Sequence, residues 1–226
     1  MIIEDTLKKS SIFSALSEED IKNIRSMFEV LSVEPGEFMF RETEVPEWVY
    51  IASEGKIKIT KHVHSGSEVI VEIKNPGELF CCAAVLGNKP YPDSAQSMEP
   101  ATVLRIRRSD FLRIIEEYPL LHLQIMRYTS QKVGDAQEML KNIALERVDR
   151  RIAIVLVRLA EKAGVQDGDF IRIDFPLKRQ EIAEMVGTTI ESCIRAMSKF
   201  KKSGWVERSD SRILVKINEL RSFLDS

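Results

Sequence analysis

LKRQEIAEMVGTTIESCIRAMSKFKK, residues 177–202, is the stretch whose reading decides the fold of this chain. Ile182, Ala183 and Val186 form one apolar set, and Ile190, Cys193, Met197 and Phe200 form a second, at the spacings of three and four that mark a helix face. Gly187 separates the sets. Thr188 and Thr189 follow, and either hydroxyl can cap the next helix by accepting from one of its unpaired amides. The stretch predicts a helix-turn-helix.

Its second helix carries the chemistry. Glu191, Arg195, Ser198 and Lys202 recur at about one-turn intervals, so they project from one side while the apolar set packs beneath. In a major groove, the planar Arg195 can pair with the two acceptors of a guanine edge, Glu191 can accept from a cytosine amino group, and Ile194 can touch a thymine methyl. Arg179, Gln180, Thr188, Thr189 and Lys199 are expected at the groove walls, where donors reach phosphate oxygens and fix register. A plainer reading is available. Glu191 can close a capping box with Thr188 and pair with Arg195 on a solvated face. The combination of two helices, a glycine turn, the basic run through Lys199, Lys201 and Lys202, and a Gly204-Trp205 hairpin favours DNA binding.

Composition bounds the rest. The chain has 226 residues, 44% hydrophobic and 30% charged, which suits a soluble protein of one or two domains. A net charge of -2 excludes a protein that is basic throughout, so a nucleic-acid surface must be local. MIIEDTLKKS has acidic residues where a targeting segment would be apolar, and the longest apolar run, residues 152–157, is too short to span a bilayer. No membrane partner is expected. Three cysteines, two of them adjacent, form no disulfide framework and point to a reducing cytoplasm.

Along the chain, Ser17 and Asp20 signal a helix start, with Leu16, Ile21, Ile24 and Phe28 as its apolar stripe. From Val33 the period changes. Segments 38–40, 48–52, 56–61, 69–73 and 102–106 read as strands, separated by Pro35-Gly36, Glu54-Gly55, Ser65-Gly66 and Pro76-Gly77 turns. Short strands with spaced glycine turns predict a roll or barrel whose interior can hold a small ligand. After Tyr118-Pro119 the chain reads as one long helix. Met126, Thr129, Val133, Ala136, Leu140 and Ile143 form a seam suited to pairing with a second copy, the alternative being packing on the chain's own roll. Gly134 and Ser130 weaken that seam. Then come a helix to Ala163, a strand over 170–175, the helix-turn-helix, and a hairpin turning at 209–211 that reads as a wing.

This order of parts, with SIFSALSEEDI, VYIASEGKIKI, TSQKVG, RRIAIVLVRLA and KRQEIAEMVGTTIESCIRAM, resembles the family of the cyclic-AMP receptor protein and the fumarate-nitrate reduction regulator, Crp/Fnr, over essentially the whole chain. The resemblance implies an α+β chain: a β-roll of double-stranded β-helix, jelly-roll-like form over 1–118, a dimerisation helix over 119–147, and a winged helix-turn-helix over 148–226. It implies a homodimeric, non-enzymatic transcription regulator on a two-fold operator, with half-sites about one helical turn apart. RNA polymerase is the further partner. Glu191 and Arg195 match the base-reading positions, which implies a TGA-type core. Ile190 and Ile194 stand where other members carry an arginine or a serine, so the outer bases are open.

The sensor pocket departs from the family pattern. Cyclic-nucleotide binders of this family hold the ribose with a Gly-Glu pair and the phosphate with an Arg-Ser pair. Here Cys81-Cys82 and Asp93-Ser94 stand in those places. A carboxylate facing a phosphate is repulsive, so cyclic AMP is not the expected effector, although Thr129 and Ser130 match the residues that touch the adenine. Too few thiols are present for an iron-sulfur cluster. Cys81, in GELFCCAA, matches the haem thiolate of the carbon-monoxide-sensing member, with Ala83 in place of that protein's neighbouring histidine. Haem at Cys81, redox chemistry at Cys81 and Cys82, and another apolar or anionic small ligand therefore stay open. An enzyme reading rests on His62-Val63-His64 with Glu68, a spacing used by cupin-like metal sites, but His122 lies on the long helix and supplies no third ligand.

Overall fold

The computed structural model describes residues 2–62 and 68–225. Val63, His64 and the Ser65-Gly66 turn lie outside the described residues. The chain divides into two compact units, Met1–Gly134 and Asp135–Ser226.

The first unit opens with α1 (Ile2–Lys9) and α2 (Glu18–Ile24). The Ser17 hydroxyl accepts from the Asp20 amide at 3.1 Å and the Asp20 carboxylate accepts from the Ser17 amide at 3.1 Å, the reciprocal cap that the sequence predicts. Phe28 is a correction. It does not close the helical stripe but begins β1 (Phe28–Val33), so extended structure starts before Val33. Six consecutive residues of β1 pair with β8 across the chain, and that pairing outweighs a local helix-like spacing.

The strands β2 (Phe38–Phe40), β3 (Trp48–Glu54), β4 (Ile57–His62) and β5 (Glu68–Lys74) follow the sequence reading closely. Next come β6 (Leu79–Phe80), α3 (Cys82–Gly87), β7 (Ser94–Ser97), β8 (Ala101–Arg107) and α4 (Arg108–Glu117). Of these, only β8 is evident from the sequence pattern. One sheet runs β1-β8-β3-β6 and the other β2-β7-β4-β5. Their apolar residues, among them Ile51, Ile57, Leu79, Phe80, Val103 and Leu104, bury one common core.

Gly55 makes the β3–β4 turn possible. Its φ is +74°, and an added Cβ would lie 2.7 Å from the Ala101 Cβ and 2.8 Å from the Pro100 carbonyl oxygen. Gly55→Ala should therefore lose about 1–2 kcal/mol from the left-handed backbone alone, before any contact is counted. A urea melt of the variant checks this, and an unchanged midpoint would refute it.

Helix α5 (Pro119–Leu145) has two distinct faces. Leu121 and Ile125 are buried and join the core of the first unit. Leu120, Leu123, Met126, Val133 and Leu140 are exposed. Among the described residues no helix is long and apolar enough to cross a membrane.

The second unit contains α6 (Val148–Ala163), β9 (Gly164–Asp167), β10 (Phe170–Ile173), α7 (Arg179–Val186), α8 (Ile190–Lys202), β11 (Val206–Ser209), β12 (Arg212–Val215) and α9 (Ile217–Asp225). Its sheet runs β11-β12-β10-β9. The predicted strand over 170–175 stops at Ile173, and Phe175 is buried in the following loop. Ile152, Ala153, Leu156 and Leu159 of α6 are buried in the helical layer that α7, α8 and α9 complete.

Candidate nucleic-acid interface and sensor site

In the second unit, Gly187 ends α7 with φ +68°, and Thr189 then caps α8 by accepting from the Ser192 amide at 3.3 Å. The cap is Thr189, one residue beyond the Thr188 that the capping-box alternative requires. Glu191 instead lies in the first turn of α8, where its carboxyl is held below the usual range by its own backbone amide and by the Thr189 hydroxyl. Arg195 Nη2 donates to Ser192 Oγ at 3.0 Å. Arg151 of α6 steadies the turn from beneath, its Nη1 donating to the Val186 carbonyl at 2.9 Å. That clamp was not foreseen, because nothing in RRIAIVLVRLA marks one arginine as facing inward.

The two faces of α8 differ sharply. Cys193, Ala196, Met197 and Phe200 are buried, whereas Glu191, Ile194, Arg195, Ser198 and Lys199 are exposed and Ile190 is half-buried. Phe200 is the anchor, with the Trp205 ring centroid 5.9 Å away and Phe223 at 5.6 Å. Burial pushes the Cys193 thiol up to about 11, so it behaves as a core residue. Of the residues expected at the groove walls, Arg179 and Gln180 open α7, and Gln180 Nε2 donates to Glu184 at 2.7 Å. Lys199 already has a partner, Asp149, at 3.0 Å. In the wing, Asp210 makes the turn between β11 and β12 with φ 54°.

In the first unit, the residues read as a sensor pocket differ in exposure and in partners. Cys81 has φ 68° and ψ 3° and precedes α3, Cys82 is buried, and Ala83 is exposed. Desolvation raises both thiols, Cys82 to about 11 and Cys81 well above the ordinary range. Ser94 Oγ is engaged by the Glu42 amide at 2.9 Å. Asp93 is not an isolated carboxylate, because Lys61 Nζ lies 3.8 Å from it, and burial holds its carboxyl above the usual value. Thr129 Oγ1 donates back to the carbonyls of Ile125 and Met126 at 2.9 and 3.0 Å, while Ser130 is exposed.

Of the candidate metal set, His62 and Glu68 are described. His62 Nε2 is 3.6 Å from Glu68, its partner across the β4–β5 pair, and His64 lies outside the described residues. Among the described residues no group of three or more His, Cys, Asp or Glu stands together as a metal site.

Residues 30–118 match the cyclic nucleotide-binding domain, and residues 150–223 match the Crp-like helix-turn-helix domain. The chain belongs to the Crp/Fnr family. It is a transcription regulator of that type, from a family of regulators rather than enzymes. This Crp/Fnr regulator is 24% identical over 217 residues to the CRP-like cAMP-activated global transcriptional regulator of Mycobacterium tuberculosis, covering 96% of this chain and 97% of that one. It is 26% identical over 178 residues to the transcriptional activator protein anr of Pseudomonas aeruginosa, covering 79% and 72%. The Catabolite Activator Protein of Thermus thermophilus shares the fold, with a TM-score of 0.57 at 22% identity over 96% of this chain and 99% of that one.

Proposed function

We propose that this regulator acts as a homodimer, pairing through the exposed face of α5 and presenting two copies of α8 to successive major grooves of a two-fold operator. Glu191 and Arg195 read bases, with Ile190, Ile194 and Ser198 beside them. Arg179, Gln180, Thr188, Thr189 and Lys199 hold phosphates. The observation that carries the reading is the segregation of α8: every base-reading candidate except Ile190 is exposed, over an anchored apolar underside. Dimerisation is supported by Met126, Val133 and Leu140, which are 57 to 66% exposed while Leu121 and Ile125 bury a different face. Thr129 and Ala136 continue that stripe, and the side chain of Ile143 lies outside the described residues. RNA polymerase is the further partner of the DNA-bound dimer.

The effector is a small molecule other than cyclic AMP. A half-buried carboxylate at Asp93 and a buried thiol at Cys82 replace the groups that would hold its phosphate and ribose. A haem on Cys81 would have to offset the burial that disfavours its thiolate, with Asp93 and Glu72 adding to that cost and Lys74 opposing it. An iron-sulfur cluster does not fit, since the chain has three cysteines and Cys193 is buried under α8 in the other unit.

Fluorescence anisotropy tests the reading, using a duplex with inverted TGA-type half-sites about one helical turn apart and a scrambled duplex. Specific binding should be tighter by roughly 10³-fold or more, with one dimer per duplex by sedimentation and no gain from cyclic AMP. A monomer that binds both duplexes equally would overturn it.

A further inference from the structure

Between β5 and α5 lies a buried run of charge that none of the base-reading or family positions uses. Lys74 is 2% exposed, and its Nζ lies 2.9 Å from Glu72 Oε1. The same oxygen accepts from Lys132 Nζ of α5 at 2.5 Å. The Tyr128 ring stands beside both ammonium groups, 6.0 Å from Lys74 Nζ and 5.6 Å from Lys132 Nζ, and its hydroxyl donates to the Leu79 carbonyl at 2.9 Å. Cys82 borders the pair on the α3 side, close enough for both lysines to act on its thiol.

An ammonium is costly to bury unless a counter-charge meets it. Here one carboxylate oxygen serves two ammonium groups. Burial lowers the pKa of Lys74, with Glu72 pulling the other way, whereas at Lys132 burial is the largest single effect and the bond to Glu72, its charge and smaller contributions together overcome it. The group is reachable from one side only: the Lys132 and Glu72 side chains are 37% and 25% exposed, against 3% for Lys74.

We propose that the effector of the roll carries a compact oxyanion, a carboxylate or phosphate-type group, that takes the place of the Glu72 carboxylate between Lys74 and Lys132. The proposal rests on the reading of the roll as a sensor and names the ligand class. Tyr128 and Cys82 give the remainder of the molecule an aromatic wall and a small apolar neighbour. Lys132 stands on the helix whose neighbouring face is proposed to pair, so exchange of its counter-ion acts directly on that helix. An anion that binds the lysines better with Glu72 released shifts α5 by that difference in affinity.

Calorimetric titration of the full chain with inorganic phosphate and with succinate tests this. Glu72→Gln removes the internal competitor, so at least one probe should bind about tenfold more tightly than to wild type, and adding Lys132→Met should abolish the gain. A gain with phosphate alone marks a phosphate-type ligand, and one with succinate alone a carboxylate. Affinities within twofold of wild type for both probes, or a gain that survives Lys132→Met, would overturn the proposal. If Glu72→Gln does not fold by circular dichroism, NMR of wild type with ¹³C-dimethylated lysines decides. The Lys74 and Lys132 resonances should move with the probe, and movement confined to other lysines counts against it. Operator binding measured in parallel separates the two failures: its loss sinks the regulator reading, whereas intact operator binding without anion selectivity sinks the ligand class alone.

Discussion

Phe200→Ala should lower the stability of the second unit by about 3–5 kcal/mol, the usual loss when a buried phenylalanine is truncated to alanine. Phe200 is fully buried, and the rings of Trp205 and Phe223 close around it. Its removal unpins α8 from the wing and α9 together. A Trp48→Phe background leaves Trp205 as the sole tryptophan, so fluorescence in urea follows this unit alone. The midpoint should fall with little change in slope. A midpoint matching the background would show that α8 is anchored elsewhere. Operator affinity should fall as well, because the reading helix is positioned by the same cluster.

Arg195→Ala should cost about 1–3 kcal/mol on the specific operator and relax the preference at one guanine. Lys199→Ala, one residue group further along the same helix, should behave differently. Binding to all duplexes should weaken alike and the salt slope should drop by about 1. Lys199 begins from a 3.0 Å ion pair with Asp149, whose carboxyl that pair holds below its usual value against the opposing effect of burial. Meeting a phosphate means leaving that carboxylate, so the loss on Lys199→Ala should be smaller than for an unpaired lysine. Anisotropy at several salt concentrations separates the two variants. Equal losses on specific and random duplexes for Arg195→Ala would refute base reading.

Legibility in the sequence followed the length and regularity of each element. The helix-turn-helix and the long α5 were evident because each repeats its apolar spacing over several turns. β3, β4 and β5 were evident because glycine turns border them, and β8 because its Thr-Val-Leu-Arg-Ile run is rich in β-branched and apolar residues. β6 was not, because its two residues are too few to show a period, and β7 carries Ser94, Gln96 and Ser97. The start of β1 was hidden by Ile21, Ile24 and Phe28, whose spacing suits a helix until the β8 pairing is known. At the sites, the type of residue was legible but not its partner. The Lys199 bond to Asp149 spans 50 residues and the Lys132 bond to Glu72 spans 60, and no local pattern connects positions so far apart. The Asp93 carboxylate looked unopposed for the same reason, since Lys61 reaches it from another strand.

Cys81 bends the main chain to φ 68°, a shape that a side chain resists by about 1–2 kcal/mol. Its sulfur therefore sits where the polypeptide would be more at ease bare. Cys81→Gly should relax the turn ahead of α3 and raise the urea midpoint of the roll, and a lower midpoint would show that the packing of the thiol outweighs the strain.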